Sequence, residues 1–148
     1  MLAPKWTHVV DPPSNGTPVQ GGTKDPGQPC ILVVDDEPDI LASYAELIES
    51  MTGARALQAT SGRAAIPLMQ ANTVDLVVSD FNMPGMDGIT FLSLCKDRWP
   101  GARRILVTAF ETDTLQQRAR HEARIHGFLS KSGDPDSFLD GLQAALAG

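Results

Sequence analysis

No apolar run in this 148-residue chain approaches the roughly 18 residues that a membrane-spanning helix needs, so no helical anchor is expected. The opening MLAPKWTHVVDPPSNG also lacks the apolar centre of a secretory signal, and the chain reads as soluble and cytoplasmic. Basic residues are the minority, 12 Lys and Arg against 18 Asp and Glu, for a formal net charge of −6 at pH 7. A surface with that balance repels polyanions, which disfavours nucleic acid and anionic membranes as partners of the bulk surface and leaves only local patches open. Cysteine is scarce as well. Cys30 opens an apolar run and Cys95 falls inside a helical pattern, so both read as buried small hydrophobes, with no disulfide or metal pair, in a reducing compartment.

What remains is the composition of an ordinary globular chain, 42% hydrophobic and 20% charged, with room for one domain. Residues 1–29 hold six prolines and four glycines and too little apolar surface to offset the entropy of ordering them, so they are expected to form a flexible leader. Trp6, Val9 and Val10 could make a short docking motif there, but an adventitious apolar segment is the preferred reading. The folded domain is expected over residues 30–148.

From Cys30 onward, apolar runs of strand length alternate with segments of helical period. Ile31-Leu32-Val33-Val34 precedes Ile40, Leu41, Tyr44, Leu47, Ile48 and Met51, which step by three and four along one helix face. The alternation repeats: Arg55 to Ala59 then Ala64 to Ala71; Leu76 to Val78 then Ile89 to Arg98; Ile105 to Val107 then Asp113 to Arg124; Phe128-Leu129 then Pro135 to Ala147. Five strand and helix pairs follow. The continuous Val, Ile and Leu runs mean strands buried on both faces, as in a parallel sheet covered by helices, so the expected fold is a doubly wound α/β domain. Asp134 before Pro135 reads as an N-cap followed by proline at the first helical position. Pro67 sits inside the second helical segment and is expected to kink or shorten it.

In open parallel sheets ligands bind beyond the carboxyl ends of the strands. After the first run come Asp35, Asp36 and Glu37; after the third, Asp80; after the fourth, Thr108; after the fifth, Lys131. The Asp35 to Glu37 triplet alone could simply end a strand and charge a helix N-terminus. Its coincidence with Asp80, Thr108 and Lys131 at equivalent strand ends favours a site. Carboxylates packed that closely repel unless a cation neutralises them, and a hard divalent ion with oxygen ligands, Mg²⁺ above all, fits the need.

The stretches ILVVDDEPDIL, LVVSDFNMPGMDGITFL, ILVTA and GFLSK, in that order, resemble the receiver domain of two-component response regulators, with its flavodoxin-like, five-stranded parallel sheet in the order 2-1-3-4-5. The resemblance covers essentially all of residues 30–148. It implies that Asp80 is the phosphoacceptor and that Asp35 and Asp36 form the acidic pair holding Mg²⁺, with Asp36 and Asp80 as direct ligands and the Asn82 carbonyl completing the protein's share. It further implies that Thr108 hydrogen-bonds the phosphoryl group, Lys131 ion-pairs with it, and Phe128 is the aromatic that changes burial on activation. The implied phosphodonor is a sensor histidine kinase or a histidine phosphotransfer protein. The implied output or homodimer surface is the fourth helix, fifth strand and fifth helix, where Arg118, Arg120, His121 and Arg124 make a basic stripe or merely a solvated face. His121 and His126 read as surface residues. No output domain is recognised, so the chain is expected to be a single-domain regulator or a piece of a larger one. Many receivers have proline after the lysine, where this chain has Ser132.

The expected function is therefore phosphorelay reception, without turnover of an external substrate. A haloacid dehalogenase-like, Mg²⁺-dependent phosphatase also uses an aspartate nucleophile, but it needs a second Asp at the position of Asn82. A binding module that keeps the fold without the switch is disfavoured by the intact Asp36, Asp80, Thr108 and Lys131. Asn82 and Phe110 flank the path of a hydrolytic water. Asn82 can orient that water and the Phe110 ring can exclude it, which predicts a long-lived phosphorylated form; the alternative is a Phe110 that points outward into solvent and serves only a partner surface.

Overall fold

The computed structural model describes residues 27–110, 112–131 and 135–147. Most of the expected leader, the Asp134 cap and Ser132 lie outside the described residues. Five strands alternate with five helices: β1 Cys30–Val34, α1 Pro38–Thr52, β2 Arg55–Ala59, α2 Gly62–Ala71, β3 Leu76–Asp80, α3 Gly88–Arg98, β4 Arg103–Thr108, α4 Asp113–Arg118, β5 Gly127–Ser130 and α5 Pro135–Ala147. The strands form one sheet in the order β2-β1-β3-β4-β5, and every neighbouring pair is parallel.

The period-two alternation of the strands explains both faces. Leu32, Val34, Val77 and Leu106 point to one side, where they pack with Ala65 and Met69 of α2 and with Phe91, Leu92 and Cys95 of α3. Ile31, Val33, Leu76, Val78, Ile105 and Val107 point to the other, against Leu41 and Ile48 of α1 and Phe138 and Leu142 of α5. Both cysteines are buried, as the sequence predicts.

Local chemistry sets the helix ends. Pro38 occupies the first turn of α1, which ends at Gly53 in a left-handed conformation (φ 75°). The side chains of Ser61, Asp87 and Thr112 accept backbone N–H bonds at the starts of α2, α3 and α4.

Two expectations are corrected. Pro67 does not shorten the second helix, which runs from Gly62 to Ala71; proline is exposed, and the carbonyl it leaves without its N–H partner belongs to exposed Arg63. The fourth helix is not α-helical to Arg124: it stops at Arg118, and Ala119–Ala123 forms a wider π turn before Arg124 takes a left-handed φ of 48°. The extra width turns the last carbonyls of the segment toward a buried side chain, Arg104, whose guanidinium bonds the oxygens of Ala123 and Arg124.

Candidate functional site

The chain reverses its direction of winding beside β1, so the crevice between the ends of β1 and β3 is left uncovered by crossover connections. Register brings the ends level: Val34 pairs with Ser79, Asp80 with Val107, and Thr108 with Ser130. Asp35 and Lys131 each stand one residue past their strands, Asp80 and Thr108 at the last positions of theirs. Backbone bonds hold the emerging loops in place, from Asp35 N–H to the Ala59 oxygen (3.1 Å), Phe81 N–H to the Val107 oxygen (2.8 Å) and Lys131 N–H to the Thr108 oxygen (2.9 Å).

Asp35, Asp36 and Asp80 each offer a carboxylate oxygen to one point, these oxygens lying within 4.8 Å of one another. Asp35 and Asp80 are buried, Asp36 half-buried. The Lys131 ammonium bridges the first and last of them, 3.2 Å from Asp35 Oδ2 and 3.3 Å from Asp80 Oδ2. Asp35 Oδ1 accepts the Glu37 N–H at 2.9 Å, whereas its buried Oδ2 has the lysine in ion-pair range but no well-aligned hydrogen bond. An under-satisfied buried carboxylate oxygen facing two further acids fits a hard cation with oxygen ligands. Asp35, Asp36 and Asp80 are thus the described residues able to hold Mg²⁺.

Electrostatics follow from the crowding. Burial, then the Asp35 charge, raises the Asp80 pKa from 3.8 to about 6 against the opposing pull of Lys131, with Asp36 adding to the rise. Burial alone would lower the Lys131 pKa, but Asp80 and Asp35 outweigh it and raise it.

The other expected residues are placed less tightly. Thr108 is buried, and its hydroxyl exchanges bonds with Phe110, accepting the N–H at 3.2 Å and donating to the carbonyl at 3.3 Å. Phe110 itself is 75% exposed, so its ring stands largely in solvent. Asn82 is exposed on the loop after β3, and Phe128 is half-buried against the core layer that contains Leu106. His121 and His126 are exposed, as expected, although His126 Nδ1 also accepts the Arg104 N–H.

Gly88 explains how the loop after β3 closes over the site. Its N–H bonds the Phe81 oxygen at 2.9 Å, and a Cβ there would collide with the Asp80 carbonyl oxygen and come within 2.9 Å of Phe81 Cα. Gly85 turns the same loop with φ 84°.

Sequence reasoning missed Tyr44, the chain's one tyrosine. It stacks on Phe138 with ring centroids 4.7 Å apart, and its pKa is raised by burial, lowered by Lys131 and raised by Asp35 and Asp80. A polar tip on an otherwise apolar helix face was the available signal.

Comparison with known proteins gives a consistent picture. A family model described as a response regulator receiver domain matches residues 31–143. The chain is similar to the transcriptional activator protein ExaE of Pseudomonas putida, with 33% identity over 80% of this chain and 55% of that protein. It is also similar to sporulation initiation phosphotransferase F of Bacillus subtilis, with 32% identity over 78% of this chain and 92% of the relative. It spans about half the length of several curated relatives, ExaE and the nitrate/nitrite regulator NarP of Escherichia coli among them. Among solved structures, the signal receiver domain of an HD domain-containing protein from Pseudomonas fluorescens superposes with a TM-score of 0.76, at 33% identity, over 81% of this chain and 95% of that one. The chemotaxis protein CheY4 of Vibrio cholerae shares the fold, with a TM-score of 0.76 at 24% identity, over 81% of this chain and all of that one.

Proposed function

The chain belongs to the response regulator receiver family, and from that premise we propose that it accepts a phosphoryl group from a phosphohistidine of a kinase or phosphotransfer protein onto Asp80. The observation that carries the reading is the Lys131 ammonium held between Asp35 and Asp80 beside three convergent carboxylates. One Asp80 carboxylate oxygen forms the bond to phosphorus while the phosphorus–nitrogen bond of the donor breaks, and the released imidazole keeps the electron pair. Mg²⁺, held by Asp35, Asp36, Asp80 and the Asn82 carbonyl, supplies charge neutralisation when bound. Lys131 stabilises the transferred group's oxygens, since phosphoryl transfer needs mainly positioning and positive charge. Thr108 donates a hydrogen bond from its hydroxyl to the phosphoryl group, Phe128 changes its burial in response, and the surface of α4, β5 and α5 meets a partner or a second copy.

Asn82 brings no carboxyl to the leaving group, which favours reception over phosphatase turnover. Incubation with acetyl phosphate and Mg²⁺ followed by intact-mass measurement is the test. One phosphoryl group is expected on the wild type and none on Asp80→Asn; labelling of that variant elsewhere overturns the assignment.

Phe110 is proposed to prolong the phosphorylated state, because its backbone is tied to Thr108 and its apolar ring, two positions past that hydroxyl, can exclude a hydrolytic water. Phe110→Glu should speed loss of the label by about tenfold, a barrier change of about 1.4 kcal/mol. Equal or slower decay removes the ring from the mechanism.

A further inference from the structure

Arg104 is a buried cation that the phosphoryl site does not use. It is 5% exposed, near the start of β4, and its guanidinium donates to three backbone oxygens: Ala102 at 2.8 Å, Ala123 at 2.9 Å and Arg124 at 3.2 Å. Among the described residues no carboxylate pairs with it. Its own N–H donates to His126 Nδ1 at 3.0 Å, and its carbonyl accepts the His126 N–H at 2.7 Å. One residue therefore ties two stretches onto β4, the end of the α4 segment through its guanidinium and the entry to β5 through its backbone. The last carbonyls of a helix are the ones left without intrahelical partners, and a buried guanidinium fork can take several of them at once.

The two halves of the α4 segment are held very differently. Ala119 and Ala123 of the π turn are fully buried in the core. Asp113–Arg118 buries no residue at all. Its side-chain tethers are Leu115, half-buried against the core, and Arg118, which reaches Asp87 at 3.5 Å and Glu122 at 3.3 Å with its own side chain 38% exposed, a setting in which ion pairs contribute little. Arg104, Leu106 and Thr108 lie on one face of β4. The Thr108 hydroxyl donates to the carbonyl of Phe110, two positions before the Thr112 cap of α4, at 3.3 Å. A hydroxyl that donates its hydrogen bond to a phosphoryl group no longer donates it to that carbonyl.

We infer that Arg104 is a fixed pivot for α4: it pins the π turn to β4, so that within this segment a change of state at Thr108 is expressed in residues 112–118 and not in the π turn 119–123. The trigger rests on the receiver reading above; the pin does not.

Hydrogen exchange read by mass spectrometry tests it on the full chain, with and without acetyl phosphate and Mg²⁺, and with intact mass measured in parallel to report occupancy. In the wild type, phosphorylation is expected to change exchange in peptides covering 112–118 and to leave 119–124 unchanged. In unmodified Arg104→Met, exchange in 119–124 is expected to rise by about tenfold, the scale of losing one net backbone hydrogen bond. Arg104→Lys keeps the buried cation but not the fork, and should give a smaller rise; it serves if the Met variant does not fold. Equal change in both peptides on phosphorylation, no change in either, or full protection of 119–124 in both variants overturns the pivot. A wild type that takes no phosphoryl group overturns the receiver reading, while the unmodified variants still decide the pin.

Discussion

Asp80 combines two demands that oppose each other, since a carboxylate crowded by acids is poorly placed to stay ionised. Unfolded, it loses its proton near 3.8; folded, it keeps it to about 6. Between those values the unfolded chain binds fewer protons, so metal-free stability falls as pH rises through that window and stays lower above it. The side chain is 5% exposed, and a shift of this size corresponds to about 3 kcal/mol at most. Asp80→Asn is therefore expected to exceed the wild type in stability at pH 8 without metal, by up to about 3 kcal/mol, with the gap closing near pH 4. Urea unfolding at several pH values in chelator checks this, and a variant less stable at pH 8 contradicts it. Lys131 retains Asp35 as a partner in that variant. At this scale the sequence was legible wherever a polar residue followed an apolar run: Asp35, Asp36, Asp80, Thr108 and Lys131 all ended at one edge. Arg104 was not, because a charged residue at the head of a strand looks like a boundary, and its burial follows from carbonyls supplied some twenty positions later.

Elements were easier to read than their irregularities. Apolar runs marked the strands and helix periods the helices, most plainly at β1, β3 and β4, which are buried on both faces, whereas the edge strands β2 and β5 are only partly buried. A π turn of five residues leaves no such mark, since over so short a span its spacing of buried alanines, Ala119 and Ala123, is equally that of an α-helix. Pro67 misled for the opposite reason: the rule against interior proline assumes a carbonyl with nowhere to turn, and Arg63, four positions before it, is an exposed residue. The junction of β3 with α3 is the least forgiving connection. Gly88→Ala would push a methyl group into the Asp80 carbonyl and Leu106 Cδ1, both parts of well-packed structure. A loss of about 1–3 kcal/mol is expected from such overpacking, together with slower phosphorylation, because the displaced backbone carries Asp80 itself. Urea unfolding and the mass assay measure the two effects, and a variant unchanged in both shows that α3 can shift at no cost.

At the scale of the whole molecule, the acidic crevice predicts that a divalent cation and the fold support each other. Mg²⁺ that binds the folded chain alone should raise the midpoint of thermal unfolding, by an amount equal to about 2.7 kcal/mol when the free ion is a hundredfold above its dissociation constant. Asp36→Ala should lose that response while gaining stability in chelator, since one of three mutually repelling carboxylates is gone. A thermal titration in which the variant still responds to Mg²⁺ places the ion elsewhere. The level strand ends carry one more consequence. Asp35, Asp80, Thr108 and Lys131 come from four different strands, and only the paired sheet makes them neighbours. A denatured chain has the same aspartates but no pocket, so a phosphodonor would count native molecules. In partial denaturant the fraction of chains labelled at Asp80 would serve as a covalent census of folding, taken one molecule at a time.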